Sequence, residues 1–281
     1  MRGFILMIIL IQCNDRVGLV AAISRILAET GLNIISMREH VEKEGAWFFT
    51  RIEADGLTDT AILKMKFQSA LPEGADVRIN PMPEKKIIVL VTKEYHCLGD
   101  ILLRNHFRTL GASIQCVIGN YAVLSNLCEK MEIPFFHVTH EGKTKTVFEE
   151  DIFKIVQRFA PDYLVLAKFM RILSPEFVQQ FENRIINIHH SFLPAFSGAH
   201  PYRQAYERGV KLIGATSHFV TNNLDEGPII SQQIIPVTHA YTSSDMVRAG
   251  KEIETAVLAR ALQLVFEDKV MVYKNKTVVL E

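Results

Sequence analysis

The chain has 281 residues, of which 48% are hydrophobic and 22% charged, a composition typical of a globular protein with about two domains. Its formal net charge is zero, so neither nucleic acid nor a membrane surface is expected as a partner. The apolar run at 4–11 is too short to cross a membrane and lacks the features of a signal peptide, so we predict a buried first strand.

Strand and helix patterns alternate over residues 4–80 and predict the order βαββαβ. Strands are expected at 4–13, 33–42, 46–54 and 75–80, and helices near 18–30 and 58–71. Asn14 or Asp15 is expected to cap the first helix, and Gly31 to end it. The order is typical of a ferredoxin-like unit, which we place at 1–82.

A short linker at 83–86 separates this unit from a second domain at 87–281. Apolar strands alternate with helices in the second domain, which predicts a doubly wound α/β fold with a mostly parallel sheet. Strands are expected at 87–92, 113–119, 134–139, 162–169, 184–190, 211–220 and 228–237. A short helix past Gly198, a long helix near 243–266 and a C-terminal hairpin complete the domain.

Neither a disulfide framework nor a metal site is predicted. The cysteines are scattered without a CxxC pair, and His137 and His140 have no companion at metal-ligand spacing. We therefore expect no metal and buried free thiols in a reducing, cytoplasmic location. The four cysteines are Cys13, Cys97, Cys116 and Cys128.

Three polar residues stand out near the ends of apolar strands. Asn187 and His189 lie on the same side of the strand at 184–190 because their spacing is two, and Asp225 lies in the loop before the last strand of the sheet. An amide, an imidazole and a carboxylate can together stabilise an oxyanion and move a proton. From spacing alone, purely structural roles for Asn187 and His189 account equally well for the pattern.

The span 162–237 resembles the catalytic core of the formyltransferase-fold enzymes, which use 10-formyltetrahydrofolate. Four ordered elements carry this resemblance: Asn187-Ile188-His189, Ser191-Phe192-Leu193-Pro194, His218-Phe219-Val220 and Asp225-Glu226-Gly227-Pro228. The separations between the elements also fit the family pattern. The resemblance makes a purely structural role for Asn187 and His189 the weaker interpretation.

The resemblance also implies a role for each site residue. Asn187 and protonated His189 would donate to the formyl oxygen, while Asp225 would orient His189 and take a proton. No cofactor is implied, because the folate is the substrate. The folate-binding residues implied are Met170, Arg171, Ile172 and Leu173, with His190 and Gly227.

Two features favour water over an amine as the formyl acceptor. The run at 189–196 resembles formyltetrahydrofolate deformylases, whereas the ribonucleotide transferases of this fold usually have proline at the position of His190. The turn at 93–99 lacks the glycine-rich cradle that would hold a substrate phosphate. The resemblance therefore implies hydrolysis of 10-formyltetrahydrofolate to tetrahydrofolate and formate, which feeds purine biosynthesis and balances one-carbon pools.

Two alternatives to hydrolysis stay open. Formyl transfer to an amine, as in glycinamide ribonucleotide formyltransferase, would use the same three residues. An inactive regulator that binds folate or senses an amino acid would not need Asn187, His189 and Asp225 intact, and their presence speaks against it.

The first domain resembles ACT domains, which bind small amino acids at interfaces between paired units. The resemblance implies a homo-oligomer (a dimer, tetramer or hexamer) with methionine or glycine as effector. The ligand would lie near Asn14, Asp15 and Gly18 of the first turn and near Asn33 at the start of the second strand. A dimerisation module without a ligand is the alternative.

Overall fold

The computed structural model describes residues 6–80, 84–195 and 201–281, which form two compact units. The first unit holds the described residues up to Asn80 together with 267–271 and 278–281. The second holds those from Glu84 to Phe266 together with 272–277. The C-terminal residues are thus divided between the units, whereas we expected all of them in the second domain.

The first unit is an antiparallel sheet with two helices. Its elements are β1 (Leu6–Asn14), α1 (Leu19–Glu29), β2 (Asn33–Glu42), β3 (Trp47–Asp55), α2 (Thr60–Ala70) and β4 (Asp76–Asn80). The strands lie in the order β2-β3-β1-β4, and the apolar side of α1 shares one core with Leu63 and Phe67 of α2. The predicted ferredoxin-like βαββαβ order is confirmed.

The turn before α1 differs from the prediction. Gly18 precedes the helix with a φ of 88°, and no side chain caps the first turn. The expectation that Asn14 or Asp15 caps α1 is therefore wrong, because both residues lie too far before the helix start. Gly31 has a φ of 75° just after the helix, as expected of a residue that ends it.

The second unit is built on a seven-stranded sheet in the described part of the chain. Its elements begin with β5 (Lys85–Val91), α3 (His96–His106), β6 (Ala112–Gly119), α4 (Ser125–Lys130), β7 (Phe135–His137), α5 (Lys145–Phe159) and β8 (Tyr163–Leu166). They continue with α6 (Pro175–Gln179), β9 (Ile185–His189), α7 (Pro201–Arg208), β10 (Leu212–Phe219), β11 (Ile229–Pro236) and α8 (Ser243–Phe266). A hairpin of β12 (Val270–Tyr273) and β13 (Lys276–Val279) ends the chain.

The strand order β11-β10-β9-β8-β5-β6-β7 shows that this sheet is doubly wound. The chain runs outward from β5 to β6 and β7, and then returns to β8 and β9 on the other side. The strands β5 to β9 are parallel. The strand β10 runs antiparallel to β9, and β11 runs antiparallel to β10. The predicted mostly parallel sheet is confirmed, and its central strand is fully buried from Ile87 to Val91.

The longest helix, α8, packs against β10, β11 and α3. Its buried side is apolar except for Glu254, which is 1% exposed. No helix within the described ranges is both long and apolar enough to cross a bilayer. A carboxylate buried this deeply requires partners, and these lie beside the cavity described below.

Candidate active site

The strand β9 places Asn187 and His189 between two neighbouring strands. It runs parallel to β8 and antiparallel to β10, and the register sets Asn187 opposite His218 and His189 opposite Thr216. The carboxyl ends of β8 and β9 therefore meet at one edge of the sheet, where open α/β folds bind ligands. Both predicted side chains lie at this edge, as their spacing of two required.

Asp225 completes the group from the loop between β10 and β11. Its Oδ1 lies 3.2 Å from Nδ1 of His189, and the two side chains are 16% and 6% exposed. Burial tends to raise the pKa of Asp225, but the hydrogen bond from His189 and the neighbouring imidazoles outweigh it, so the pKa is lowered. Asp225 is therefore a carboxylate at neutral pH, and it is paired with the histidine to which the resemblance assigned it.

The backbone of Asp225 is in the left-handed region, with a φ of 58°. Aspartate and asparagine tolerate this conformation better than most residues other than glycine. The loop can therefore direct the carboxylate at His189 at little conformational cost.

His218 is a site residue for which the sequence suggested no role beyond its place in a motif. Its Nδ1 lies 2.9 Å from the Phe219 carbonyl oxygen, which can only accept, so Nδ1 carries the proton. Burial is the main cause that lowers the pKa of His218, and the ring is neutral. Its Nε2 then accepts from Nδ2 of Asn187 at 3.2 Å, which fixes the orientation of the Asn187 amide.

His189 keeps one ring nitrogen available for a ligand. Its Nδ1 faces Asp225, and its Nε2 is buried without a hydrogen-bond partner among the described residues. A buried nitrogen in this state costs free energy unless a bound molecule supplies the partner. The Nδ1–H of His189 donates to Asp225, so Nε2 becomes a donor in the doubly protonated ring. In that form Nε2 and the second Nδ2 hydrogen of Asn187 are the two donors that a carbonyl oxygen in the cavity can accept from.

A cavity of about 310 Å³ surrounds these residues. The predicted folate loop 170–173 forms one wall, and the Met170 N–H is held by Thr92 Oγ1 at 2.9 Å. Met170 and Ile172 are 54% and 63% exposed, so the loop presents apolar surface to solvent. The cavity is lined by Leu166, Lys168, Phe169, Met170, Arg171, Ile172, Leu173, Asn187, Ile188, His189, His190, His218, Val220, Thr221, Asn222, Asn223, Leu224 and Asp225.

Gly227, the remaining predicted folate contact, packs against the backbone of β10. A Cβ at this position would lie 1.7 Å from the Phe219 carbonyl oxygen and 2.9 Å from its carbon. The close approach brings the loop that carries Asp225 down onto the strand that carries His218. The geometry gives Gly227 a packing function in the site.

Replacing Gly227 with alanine is expected to destabilise the second unit and to displace Asp225. Overpacking of this severity should cost about 3 kcal/mol or more and lower the melting temperature by several degrees. Thermal unfolding of the full chain measures the effect. The matched control is Gly99→Ala in α3, where a Cβ has nothing within 4 Å, and its melting temperature should not fall. Equal melting temperatures for the two variants would contradict the packing argument.

A second polar cluster lies in this unit and includes one group of potential metal ligands. His96, Cys97 and Glu254 have ligand atoms within 4.8 Å of one another. However, the Lys168 ammonium is 3.1 Å from Glu254 Oε2, where a cation would have to bind. Burial, followed by the charge of Glu254, raises the pKa of the Cys97 thiol far above its usual range. A protonated thiol and an occupied carboxylate do not fit a metal centre.

The predicted effector residues of the first unit do not all come together. Asn14 ends β1 opposite Trp47, whereas Asn33 begins β2 opposite Asp55, which in turn pairs with Leu6 at the start of β1. Asn33 therefore lies at the other end of the sheet from Asn14, about 25 Å away at the usual rise per residue. Asp15 and Gly18 remain beside Asn14, so the four residues do not form one site within a single copy of the unit.

Similarity to known proteins covers both units. Residues 85–262 match the formyl transferase family, and residues 7–70 match the ACT domain family. Formyltetrahydrofolate deformylase of Escherichia coli K12 is 50% identical over 95% of this chain and 96% of its own length. A crystal structure of a formyltetrahydrofolate deformylase from Pseudomonas syringae pv. tomato matches with a TM-score of 0.95 and 39% identity, over 100% of this chain and 96% of that one. Glycinamide ribonucleotide transformylase 1 from Symbiobacterium toebii matches with a TM-score of 0.68 and 30% identity, over 71% of this chain and 96% of that one.

Proposed function

The chain belongs to the formyltetrahydrofolate deformylase family, and from this premise we propose that Asn187, His189 and Asp225 hydrolyse 10-formyltetrahydrofolate to tetrahydrofolate and formate. The main support for this assignment is that Asn187, His189 and Asp225 line one cavity. His189 is paired with Asp225 at 3.2 Å, and the Asn187 amide is oriented by His218. The cavity also includes the predicted folate loop 170–173.

The reaction follows from the direction of the donors. Nδ2 of Asn187 and Nε2 of protonated His189 donate to the formyl oxygen and stabilise the oxyanion that forms when water attacks the formyl carbon. Asp225 accepts the proton that the water loses. A proton then passes to N10 of the folate, the C–N bond breaks, and formate and tetrahydrofolate leave.

Water fits the acceptor role better than a phosphorylated amine. The turn between β5 and α3 contains Glu94, whose carboxylate binds Lys251 at 2.6 Å near the start of α3. The amino end of a helix attracts phosphate through its free N–H groups, and a carboxylate beside it opposes that attraction. Formyl transfer to such an amine is therefore the less favoured alternative.

Formate release from 10-formyltetrahydrofolate in the absence of any amine tests this function. We expect stoichiometric formate and tetrahydrofolate, and the same rate after treatment with a chelator, because we propose that no cofactor takes part. Product formation that starts only when an amine is added would favour the transferase. No product under either condition would leave a regulatory function.

We further infer that the first unit binds a small effector between two copies of the chain in a cytoplasmic homo-oligomer. The ACT match and the separation of Asn33 from Asn14, Asp15 and Gly18 support a site shared by two copies. Methionine and glycine are the proposed effectors, and repeating the formate assay with each of them tests the idea. Rates that neither amino acid changes would favour a dimerisation module.

A further inference from the structure

Glu254 is the centre of a buried polar cluster next to the catalytic cavity. Its Oε2 lies 2.8 Å from His96 Nε2 and 3.1 Å from Lys168 Nζ, and its Oε1 accepts from the Tyr202 hydroxyl at 2.9 Å. Burial tends to raise the pKa of Glu254, but the His96 hydrogen bond and the Lys168 charge outweigh it and lower the pKa to about 2. The carboxylate is therefore charged, and it anchors the Lys168 ammonium.

Lys168 connects this cluster to the cavity. It lies two residues after the end of β8, is 9% exposed and lines the same cavity as Asn187, His189 and Asp225. Its φ of 63° is uncommon for a residue with a Cβ, and such a conformation persists only where the surroundings enforce it. The ion pair with Glu254 holds the Lys168 ammonium, so a positive charge lies at a defined place in the cavity wall.

His190 is the cavity residue on which this charge acts. Its ring centroid lies 5.1 Å from that of His189 and 6.3 Å from that of Tyr202. Neither ring nitrogen of His190 has a hydrogen-bond partner in the part of the chain that the structure describes. Burial, followed by the charge of Lys168, lowers the pKa of His190 to about 4, so the ring is neutral and has one free acceptor nitrogen.

We propose that His190 and Lys168 form the water subsite of the catalytic cavity, in which the His190 imidazole accepts a hydrogen bond from the attacking water. This inference rests on the proposed function and adds no bond-making step to it. One O–H of the water is held by His190, and the other delivers its proton to Asp225. Lys168 is a positioning residue, because its anchored charge keeps a proton off His190 and so preserves the acceptor.

The test compares the pH dependence of kcat in wild type, Lys168→Met and Lys168→Met/His190→Gln. Removing the lysine charge should move the pKa of His190 upward from about 4 towards its ordinary value of 6.5, while burial keeps it below that value. The ratio of wild-type to Lys168→Met kcat should then be at least about threefold larger at pH 5 than at pH 8. In the double variant this difference should vanish, because the amide oxygen of the introduced glutamine accepts at every pH.

Several titratable groups face His190 and could contribute to this profile. They are Lys168 after β8, His189 on β9, Tyr202 on α7, Asp225 in the loop before β11 and Glu254 on α8. Lys168→Met also changes the charge felt by Glu254, but the single and the double variant share that change. They differ only at His190, so a difference between their ratios to wild type reports on His190.

The outcomes separate the water subsite from a structural role of the cluster. A loss of kcat in Lys168→Met that is the same at every pH would overturn the proposal. A double variant that still loses kcat at acid pH relative to wild type would overturn it too. The matched control is Lys154→Met, which removes a lysine paired with Asp151 on α5 and should show no additional loss of kcat at acid pH.

If Lys168→Met does not fold, His190→Leu and His190→Gln replace it. The leucine variant should lose about tenfold more kcat than the glutamine variant with KM unchanged, and equal losses would overturn the subsite.

The same experiments distinguish failure of this inference from failure of the proposed function. Wild-type enzyme that releases no formate, or His189→Ala enzyme that is fully active, would remove the premise. Normal wild-type hydrolysis with a strong His189→Ala defect, but none of the effects expected at Lys168 and His190, would remove only the water subsite.

Discussion

Replacing His189 with alanine is expected to lower kcat for formate release by at least about a hundredfold. The substitution removes the Nε2 donor that we propose for the formyl oxygen, and one such donor is worth roughly 3 kcal/mol, which corresponds to that factor. It also leaves Asp225 without its paired imidazole, which lies at 3.2 Å in the native chain. Steady-state kinetics with 10-formyltetrahydrofolate measure the loss.

Two controls separate chemistry from folding in the His189 variant. His239→Ala removes an exposed histidine of the same unit and should leave kcat within about twofold of wild type. Added imidazole should restore part of the His189→Ala activity, because a free ring can occupy the space beside Asp225. A His189→Ala enzyme with near-wild-type turnover would mean that another group stabilises the oxyanion.

Much of the fold follows from local patterns in the sequence. Apolar runs and amphipathic periods locate β5, β9 and α8 because burial on a sheet or helix face requires those patterns. The site pair Asn187 and His189 is visible for the same reason, since alternation along one short strand directs both to one side. Asp225 could be assigned to them only through the resemblance, because the loop between β10 and β11 carries no periodic signal.

Other parts of the site depend on contacts that no local pattern encodes. The hydrogen bond between Asn187 and His218 results from the antiparallel register of β9 and β10, and register is set by the packing of the whole sheet. The ion pair between Lys168 and Glu254 joins a strand end to a helix far along the chain. Because Lys168 and Glu254 lie far apart in the sequence, no local pattern shows that they pair.

The orientation of Asn187 also explains why a neutral histidine is useful in this site. A protonated His218 would donate from both ring nitrogens and could not accept from the Asn187 amide. The pKa of His218 is lowered by burial, so the acceptor nitrogen persists at neutral pH. The Asn187 side chain is thereby held with its NH₂ group towards His218 and the cavity, in the geometry that the proposed oxyanion stabilisation requires.

Replacing Asp225 with asparagine is expected to lower kcat by roughly 10³ to 10⁴-fold, as in other sites where a carboxylate orients a catalytic histidine. Asparagine suits the test because it tolerates the left-handed φ of 58° and so leaves the loop backbone unstrained. The amide has almost the shape of the carboxylate but neither stabilises a protonated His189 nor accepts the proton of the attacking water. The neighbouring substitution Glu226→Gln removes an exposed carboxylate from the same loop and should leave kcat within about twofold of wild type.

The pH profile adds an independent measure of the same carboxylate. Because the pKa of Asp225 is lowered, the group stays ionised throughout the neutral range, and its protonation should reduce wild-type activity only at acid pH, below the ordinary range of an aspartate. The loss in Asp225→Asn should therefore persist at every pH between 6 and 8. A loss smaller than tenfold, or one that disappears at alkaline pH, would show that water gives its proton to a different base. His190 would then be the first group to test, because its neutral ring lines the cavity beside His189.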